Sequence, residues 1–352
     1  MRVVRAVGTA DVAPSSERGA RLPTAEDLEA ARTLRQQPWA RALAPTEVRR
    51  VAALDAGARG ARVWLAVESK QVTGSFKVRG ALFALERLAA RGVREVVVVS
   101  AGNHGAGVSF AARELGVRAT VCVPETAPEA KRSKIRGYGA DIVVVPTPSY
   151  DEAERHAMDL ATRRGLPFLS PYDDHDVVLG NGASLAFDVA AALGHAPAIA
   201  IAPFGGGGLA TGLAWGFGRG TAVWGAQTES SPAMAESLLR GEAILAYDSA
   251  PTLAEGLEGG IARDAFDRAR AVIAGVVVVD EAAIARAMRY ARSELGLDLE
   301  GSAATALAPV LDGLPAELAA PADADLVVVL TGSNVDPERL DAIAPRAAAE
   351  SC

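Results

Sequence analysis

Seven short apolar runs, most of them rich in valine, punctuate the chain: VREVVVVS (93–100), RATVCVPE (118–125), DIVVVP (141–146), AIAIAP (198–203), AVWGAQ (222–227), GVVVVD (275–280) and DLVVVLTG (325–332). Runs this short and apolar on both faces predict buried parallel strands. Between them, helical patterns span roughly 78–91, 104–115, 129–137, 151–164, 176–193, 208–217, 263–271, 281–295 and 337–348. The alternation predicts an α/β fold of mostly parallel sheets flanked by helices. So many strands suit two lobes better than one sheet, and 146–154 and 165–174 are the expected crossings.

Three strands end in clusters of small polar residues: SAGNHG (100–105), PFGGGGL (203–209) and TGSN (331–334). Ligands of open parallel sheets bind beyond the carboxyl ends of strands, so the three clusters are expected to meet at one site. Gly205 to Gly208 lie between a strand and a helix, and four amides without side chains read as an anion cup or as a flexible connection. The entropy lost in ordering four glycines favours the cup, and phosphate as its ligand. Neither GxGxxG nor GxxxxGK[ST] is present, so the phosphate is expected on something smaller than a dinucleotide or ATP. Ser100, Asn103 and His104 read either as helix capping or as donors to a carboxylate or phenolate oxygen. A single histidine such as His104 is more often structural than a base.

Composition narrows the partners. The net charge is −7 and basic residues are scattered among acids, which argues against nucleic acid. Two cysteines, Cys122 and Cys352, offer neither a disulfide framework nor a metal spacing, so a reducing cytoplasm is expected. The start of the chain, MRVVRAVGTADVAPSSERGARLP, lacks a sustained apolar region and reads as a frayed leader without an export signal. No charged residue falls between Asp188 and Arg219, a length sufficient for a bilayer, but prolines and the glycine run favour buried helix, strand and loop over a membrane span.

Lys77 sits between Phe76 and Val78, where a lone lysine would be a solvated surface residue. Its neighbours change that reading. Glu68, Gln71, Thr73, Gly74, Ser75, Phe76, Lys77, Arg79, Gly80 and Ala81 match ExxQxTGSFKxRGA, which resembles the fold-type II pyridoxal-phosphate enzymes, in particular their threonine/serine dehydratase branch. The family's other signatures follow in order as SAGNHG, PYDDHDVVLGNG (171–182), GGGGL (205–209) and TGSN, so the resemblance runs from about Glu68 to Asp336.

The resemblance implies a two-lobed fold, with 1–75 and 166–352 as a large cofactor-binding lobe and 76–165 as a small one. It implies that Lys77 is the Schiff-base residue and the base for the Cα proton, that Phe76 packs near the cofactor ring, and that Asn103 bonds its phenolate oxygen. Gly205, Gly206, Gly207, Gly208 and Leu209 would cradle the phosphate. Thr331, with Ser333 in competition, would face the pyridine nitrogen. Ser75, Ser100, Ala101, Gly102, Asn103 and His104 would line the substrate side, its carboxylate received by Ser100, Asn103 and His104.

Within the family, Phe76, Val78 and His104 side with dehydratases over replacement synthases and threonine synthases. Ala101 stands where racemases resembling the dehydratases carry a second serine, which disfavours two-base racemisation. Gln227 replaces the glutamate that opens the family's divalent-cation site, so no metal is expected there. GNGA (180–183), Glu300-Gly301 and WARALAPTEVRR (39–50) also depart from the pattern, the last near the expected substrate pocket. The few residues after TGSN leave no room for a C-terminal regulatory domain. The expected activity is elimination of water and ammonia from a β-hydroxy-α-amino acid such as threonine, serine or 3-hydroxyaspartate by a cytoplasmic homodimer. Replacement on an activated amino acid and non-catalytic cofactor binding are the alternatives.

Overall fold

A computed structural model of the chain describes residues 1–6 and 21–345. Among them are ten strands: β1 (Arg2–Arg5), β2 (Glu47–Arg50), β3 (Arg62–Val67), β4 (Glu95–Val99), β5 (Arg118–Pro124), β6 (Asp141–Val145), β7 (Ile199–Pro203), β8 (Ala222–Thr228), β9 (Gly275–Val279) and β10 (Asp325–Leu330). The last seven are the apolar runs of the sequence. They sort into a seven-stranded sheet, ordered β1-β9-β8-β7-β10-β3-β2, and a three-stranded sheet, β4-β5-β6. All pairings are parallel except at the two edges of the large sheet, where β1 runs antiparallel to β9 and β2 to β3. The chain is thus a fold-type II arrangement of mostly parallel sheets flanked by helices.

Side chains alternate across each strand, and each sheet is covered on both faces. On the large sheet Leu65, Ile201, Val277 and Val328 meet the helix Glu281–Glu294, whereas Ala200, Val276 and Val327 meet the helices Ser184–Leu193 and Gly208–Phe217. On the small sheet Val96, Val98 and Val121 pack under the helices Lys77–Ala90 and Asn103–Leu115, and Val97, Val99 and Cys122 under Tyr150–Arg164. Each wholly buried valine or leucine contributes about 1.5–3 kcal/mol.

Two differences from the sequence reading concern strands. Residues 2–5 do not fray: they pair with Val278–Gly275 of β9, and Val4 is buried. The flanking arginines hid a signal of two valines that matters only once an open sheet edge is available to pair. The rest of the expected leader, 7–20, lies outside the described residues. β3 sits between β10 and β2, with Arg62 Nε donating to Asp325 Oδ1 at 2.7 Å on the neighbouring strand.

The helix expected over 176–193 runs from His175 to Leu193 through a π turn at Leu179–Ala183. It is long and apolar enough to cross a membrane, yet 67% of its most apolar window is buried inside the molecule. The last helix is Pro337–Ile343; positions 346–348 of the expected one are outside the described residues.

Candidate active site

The strand ends bring the predicted clusters together. β10 ends at Leu330, and the next carbonyl, Thr331, accepts the N–H of Phe76 at 3.0 Å, while Ser75 bridges Gly332. The TGSF segment is therefore laid across the end of β10, and the helix Lys77–Ala90 starts there. SAGNHG joins β4 to the helix Asn103–Leu115, and the glycines join β7 to the helix Gly208–Phe217. All three open onto one cleft of about 950 Å³.

Lys77 is half-buried, and its Nζ donates to the Pro171 carbonyl at 2.9 Å and lies 5.2 Å from the centre of the Phe76 ring. Burial pushes the ammonium down to about 8, partly offset by the Glu300 carboxylate. An amine so placed is neutral in a substantial fraction near physiological pH, as a nucleophile or base must be.

The motif around Lys77 is chiefly scaffolding. Arg79, wholly buried, donates to Glu68, Ser184, Thr46 and Asp188. Gln71 donates to the Ala44 carbonyl and to Glu68. Asn181 in the π turn accepts the Gly80 N–H at 2.9 Å. Every bond fixes the start of the helix that carries the lysine.

The structure distributes the other expected residues unevenly. Phe76, Ser100 to His104, Gly205 to Leu209 and Thr331 line the cleft. Ser75 is wholly buried beneath it. The Ser333 hydroxyl turns away and donates to the Ser69 carbonyl at 2.9 Å, leaving Thr331 as the hydroxyl of this strand end that faces the cleft. His104 is buried with Nε2 at 3.1 Å from the Leu169 carbonyl, which can only accept, so Nε2 carries the proton and Nδ1 is a lone pair without a partner. Burial, and then the charge of Lys77, push its pKa down to about 3. The neutral ring has no second N–H to give a carboxylate; the backbone N–H of the helix start remains. Gln227 caps a helix: its Oε1 accepts the Ala235 N–H at 3.0 Å.

Several cleft residues were missed. Glu300 accepts from Asn103 Nδ2 at 2.8 Å, and burial lifts its carboxyl to about 7 against the lowering pull of Asn103, Lys131 and Lys134. Tyr172, Lys134 and Asn334 line the same cleft. Tyr172 and Asn334 lay inside quoted motifs, PYDD and TGSN, and Glu300 within a noted departure. Lys134 sits in the charged run EAKRSK, which reads as a solvated face.

These residues fit pyridoxal phosphate. A Cβ on Gly206 would lie 2.3 Å from Cγ of the Tyr172 ring, and Gly207 has φ +89°, so the loop admits no side chains. The helix that follows starts at Gly208, so its first amides have no intrahelical acceptor and are left to donate to an anion. A nucleophilic amine, Lys77, and a neutral hydroxyl residue, Thr331, line the same cleft.

Comparison with known proteins agrees. Residues 40–332 match the family described as pyridoxal-phosphate dependent enzyme. The chain is 32% identical over 325 residues to the L-threonine ammonia-lyase of Thermotoga maritima, covering 91% of this chain and 78% of that one. Among solved structures, a threonine deaminase from T.th. superposes with a TM-score of 0.77 at 31% identity, over 89% of this chain and 99% of that chain. A pyridoxal 5'-phosphate-dependent aspartate racemase superposes with a TM-score of 0.79 at 25% identity, over 91% and 99% of the two chains. Family match, fold and site chemistry converge: the chain belongs to the pyridoxal-phosphate dependent enzymes.

Proposed function

We propose that the protein is an ammonia-lyase (dehydratase) that eliminates water and ammonia from a β-hydroxy-α-amino acid, of the threonine, serine or 3-hydroxyaspartate kind, to give a 2-keto acid. The observation that carries the reading is a half-buried lysine, held near pKa 8, lining the same cleft as a glycine-rich anion cup. When bound, pyridoxal phosphate supplies an aldehyde that condenses with amines and a ring that accepts the electron pair left at Cα.

The chain's own residues do the rest. Neutral Lys77 Nζ takes the Cα proton. The amides of Gly205 to Leu209 would hold the phosphate, and Asn103 would offer an N–H to the phenolate oxygen. Thr331 would offer the ring nitrogen a neutral hydroxyl and no acid, which would keep the electron sink weak and favour prompt loss of the β-hydroxyl as water. Amides of the Ser100–His104 turn receive the substrate carboxylate. Ala101 brings only a methyl to the cleft, so this position supplies no second acid for racemisation. The released enamine hydrolyses to keto acid and ammonium.

The proposal includes the division into lobes at 75/76 and 165/166 and a soluble cytoplasmic homodimer; buried, unpaired Cys122 supports a reducing compartment. The names of the similar threonine ammonia-lyase and threonine deaminase support the substrate class. The test is a screen of hydroxy-amino acids for equal release of keto acid and ammonium, lost in Lys77→Ala. Inversion of the amino acid without keto acid would replace this reading by racemisation, and incorporation of an added nucleophile would replace it by β-replacement.

A further inference from the structure

The cleft holds a polar chain that meets the proposed machinery at Asn103 and continues beyond it. Lys134, half-buried on the helix Glu129–Gly137, donates from Nζ to Asn334 Oδ1 at 2.5 Å and to the Thr73 carbonyl at 3.0 Å. Asn334 Nδ2 donates to the same carbonyl at 2.9 Å and to Asn103 Oδ1 at 2.6 Å. Asn103 Nδ2 in turn donates to Glu300 Oε1 at 2.8 Å. Lys134 and Asn103 belong to helices beside the small sheet; Thr73 and Asn334 follow the large-sheet strands β3 and β10, and Glu300 precedes the helix Gly301–Ala304. The chain of bonds crosses the cleft.

Its ends dictate the direction of each bond. An ammonium has only donors, and a carbonyl only accepts. Between Lys134 and the Thr73 carbonyl, Asn334 can stand one way, Oδ1 toward the lysine and Nδ2 toward the carbonyl. Nδ2 then also faces Asn103, which must answer with its own Oδ1. The amino group of Asn103 is left for Glu300 and the cleft. Gly74, at φ +77°, packs close against the Asn334 amide: a Cβ there would lie 2.5 Å from Asn334 Oδ1.

Glu300 cannot fix this orientation alone. Its carboxyl, faced by Asn103, the backbone at Asn334 and the charges of Lys77, Lys131 and Lys134, takes up a proton near neutral pH. A protonated carboxyl donates as well as accepts, so it satisfies either end of an amide.

We infer that Lys134 is a positioning residue: acting through Asn334, it decides that Asn103 turns its N–H donors, and not its carbonyl, toward the cleft. The inference rests on the proposed function in one respect, that a bound phenolate or carboxylate oxygen needs a donor at Asn103. Three variants separate polarity from packing. Lys134→Met keeps the stem and removes the donors; Lys134→Arg keeps donors; Asn334→Asp puts an acceptor opposite Asn103 and forces its amide to reverse.

The test reads the side-chain amide of Asn103 by ¹⁵N NMR in the full-length cofactor-free protein, the resonance being assigned by its disappearance in Asn103→Ser, and then titrates pyridoxal phosphate by absorbance. The expected result is a displaced or doubled Asn103 amide in Lys134→Met and Asn334→Asp, a wild-type position in Lys134→Arg, and roughly ten-fold weaker cofactor retention with a shifted absorbance maximum in the first two. Wild-type Asn103 resonances in both Lys134→Met and Asn334→Asp would overturn it, as would equal displacement in Lys134→Arg and Lys134→Met. Neither readout needs turnover, so both remain decisive for a chain that fails to eliminate water. Should Lys134→Met fail to fold by circular dichroism, the Asn334→Asp and Lys134→Arg pair decides.

Discussion

Arg79 Nε donates to Glu68 Oε2 at 2.7 Å with neither side chain exposed, two positions beyond the lysine of the cleft. Breaking a buried pair strands the remaining charge. Arg79→Met or Glu68→Leu is therefore expected to destabilise the cofactor-free protein by about 3–5 kcal/mol. The double variant is expected to lose less than the sum of the singles. Urea unfolding of all four proteins measures this, and additive losses would show that the pair is not coupled.

Glu300 gives stability a defined pH dependence. Its folded pKa, raised by burial from 4.5 to about 7, means that the folded chain binds more protons than the unfolded one inside that window. The contribution of this group to stability accordingly falls as pH rises from 4.5 to about 7, and the deficit is fully present above it. Glu300→Gln is expected to flatten that part of the profile in cofactor-free protein, read from urea midpoints at about pH 5 and about pH 8.

Lys77 is expected to set the pH dependence of cofactor capture. The neutral fraction of its amine rises until pH passes about 8, so the rate at which cofactor-free protein takes up pyridoxal phosphate should rise to there and level off. Because the Glu300 carboxylate raises this pKa, Glu300→Gln should move the plateau to lower pH. Stopped-flow absorbance follows the capture; a plateau unmoved in Glu300→Gln would contradict the coupling.

Thr331 and Ser333 are two positions apart and face different ways. Thr331→Ala is expected to shift the absorbance of the bound cofactor and lower kcat. Ser333→Ala should leave both intact while lowering stability by about 1 kcal/mol, the ordinary worth of a hydroxyl bond like the one to Ser69. Equal spectral effects would show that the backbone turn, not the hydroxyl, governs this end of the cleft.

The glycine cup depends on an aromatic neighbour. Gly206→Ala places a methyl against the Tyr172 ring and is expected to weaken phosphate capture by an overpacking penalty of about 1–3 kcal/mol. Tyr172→Ala in the same chain should recover most of that loss in a cofactor titration.

Much of this molecule is legible along the chain. Seven apolar runs, most of them rich in valine, are strands because segments this short and apolar on both faces are stable in the middle of a covered sheet. SAGNHG and GGGGL are local patterns that backbone connectivity places at strand ends, whereas the Lys77 segment reaches the end of β10 through the bond of Phe76 to Thr331. Other features depend on partners far away in sequence. Residues 2–5 became a strand when β9 offered an edge, and Ser333 turned toward Ser69. His104 directed its N–H to the Leu169 carbonyl, and Lys134 left a charged helix surface to reach Asn334. The sequence by itself determined which elements form and which residue types carry the chemistry, since propensity and periodicity are local. Only the tertiary structure decided which way each polar group points, because a donor's direction is set by the acceptors that folding brings within about 3 Å of it.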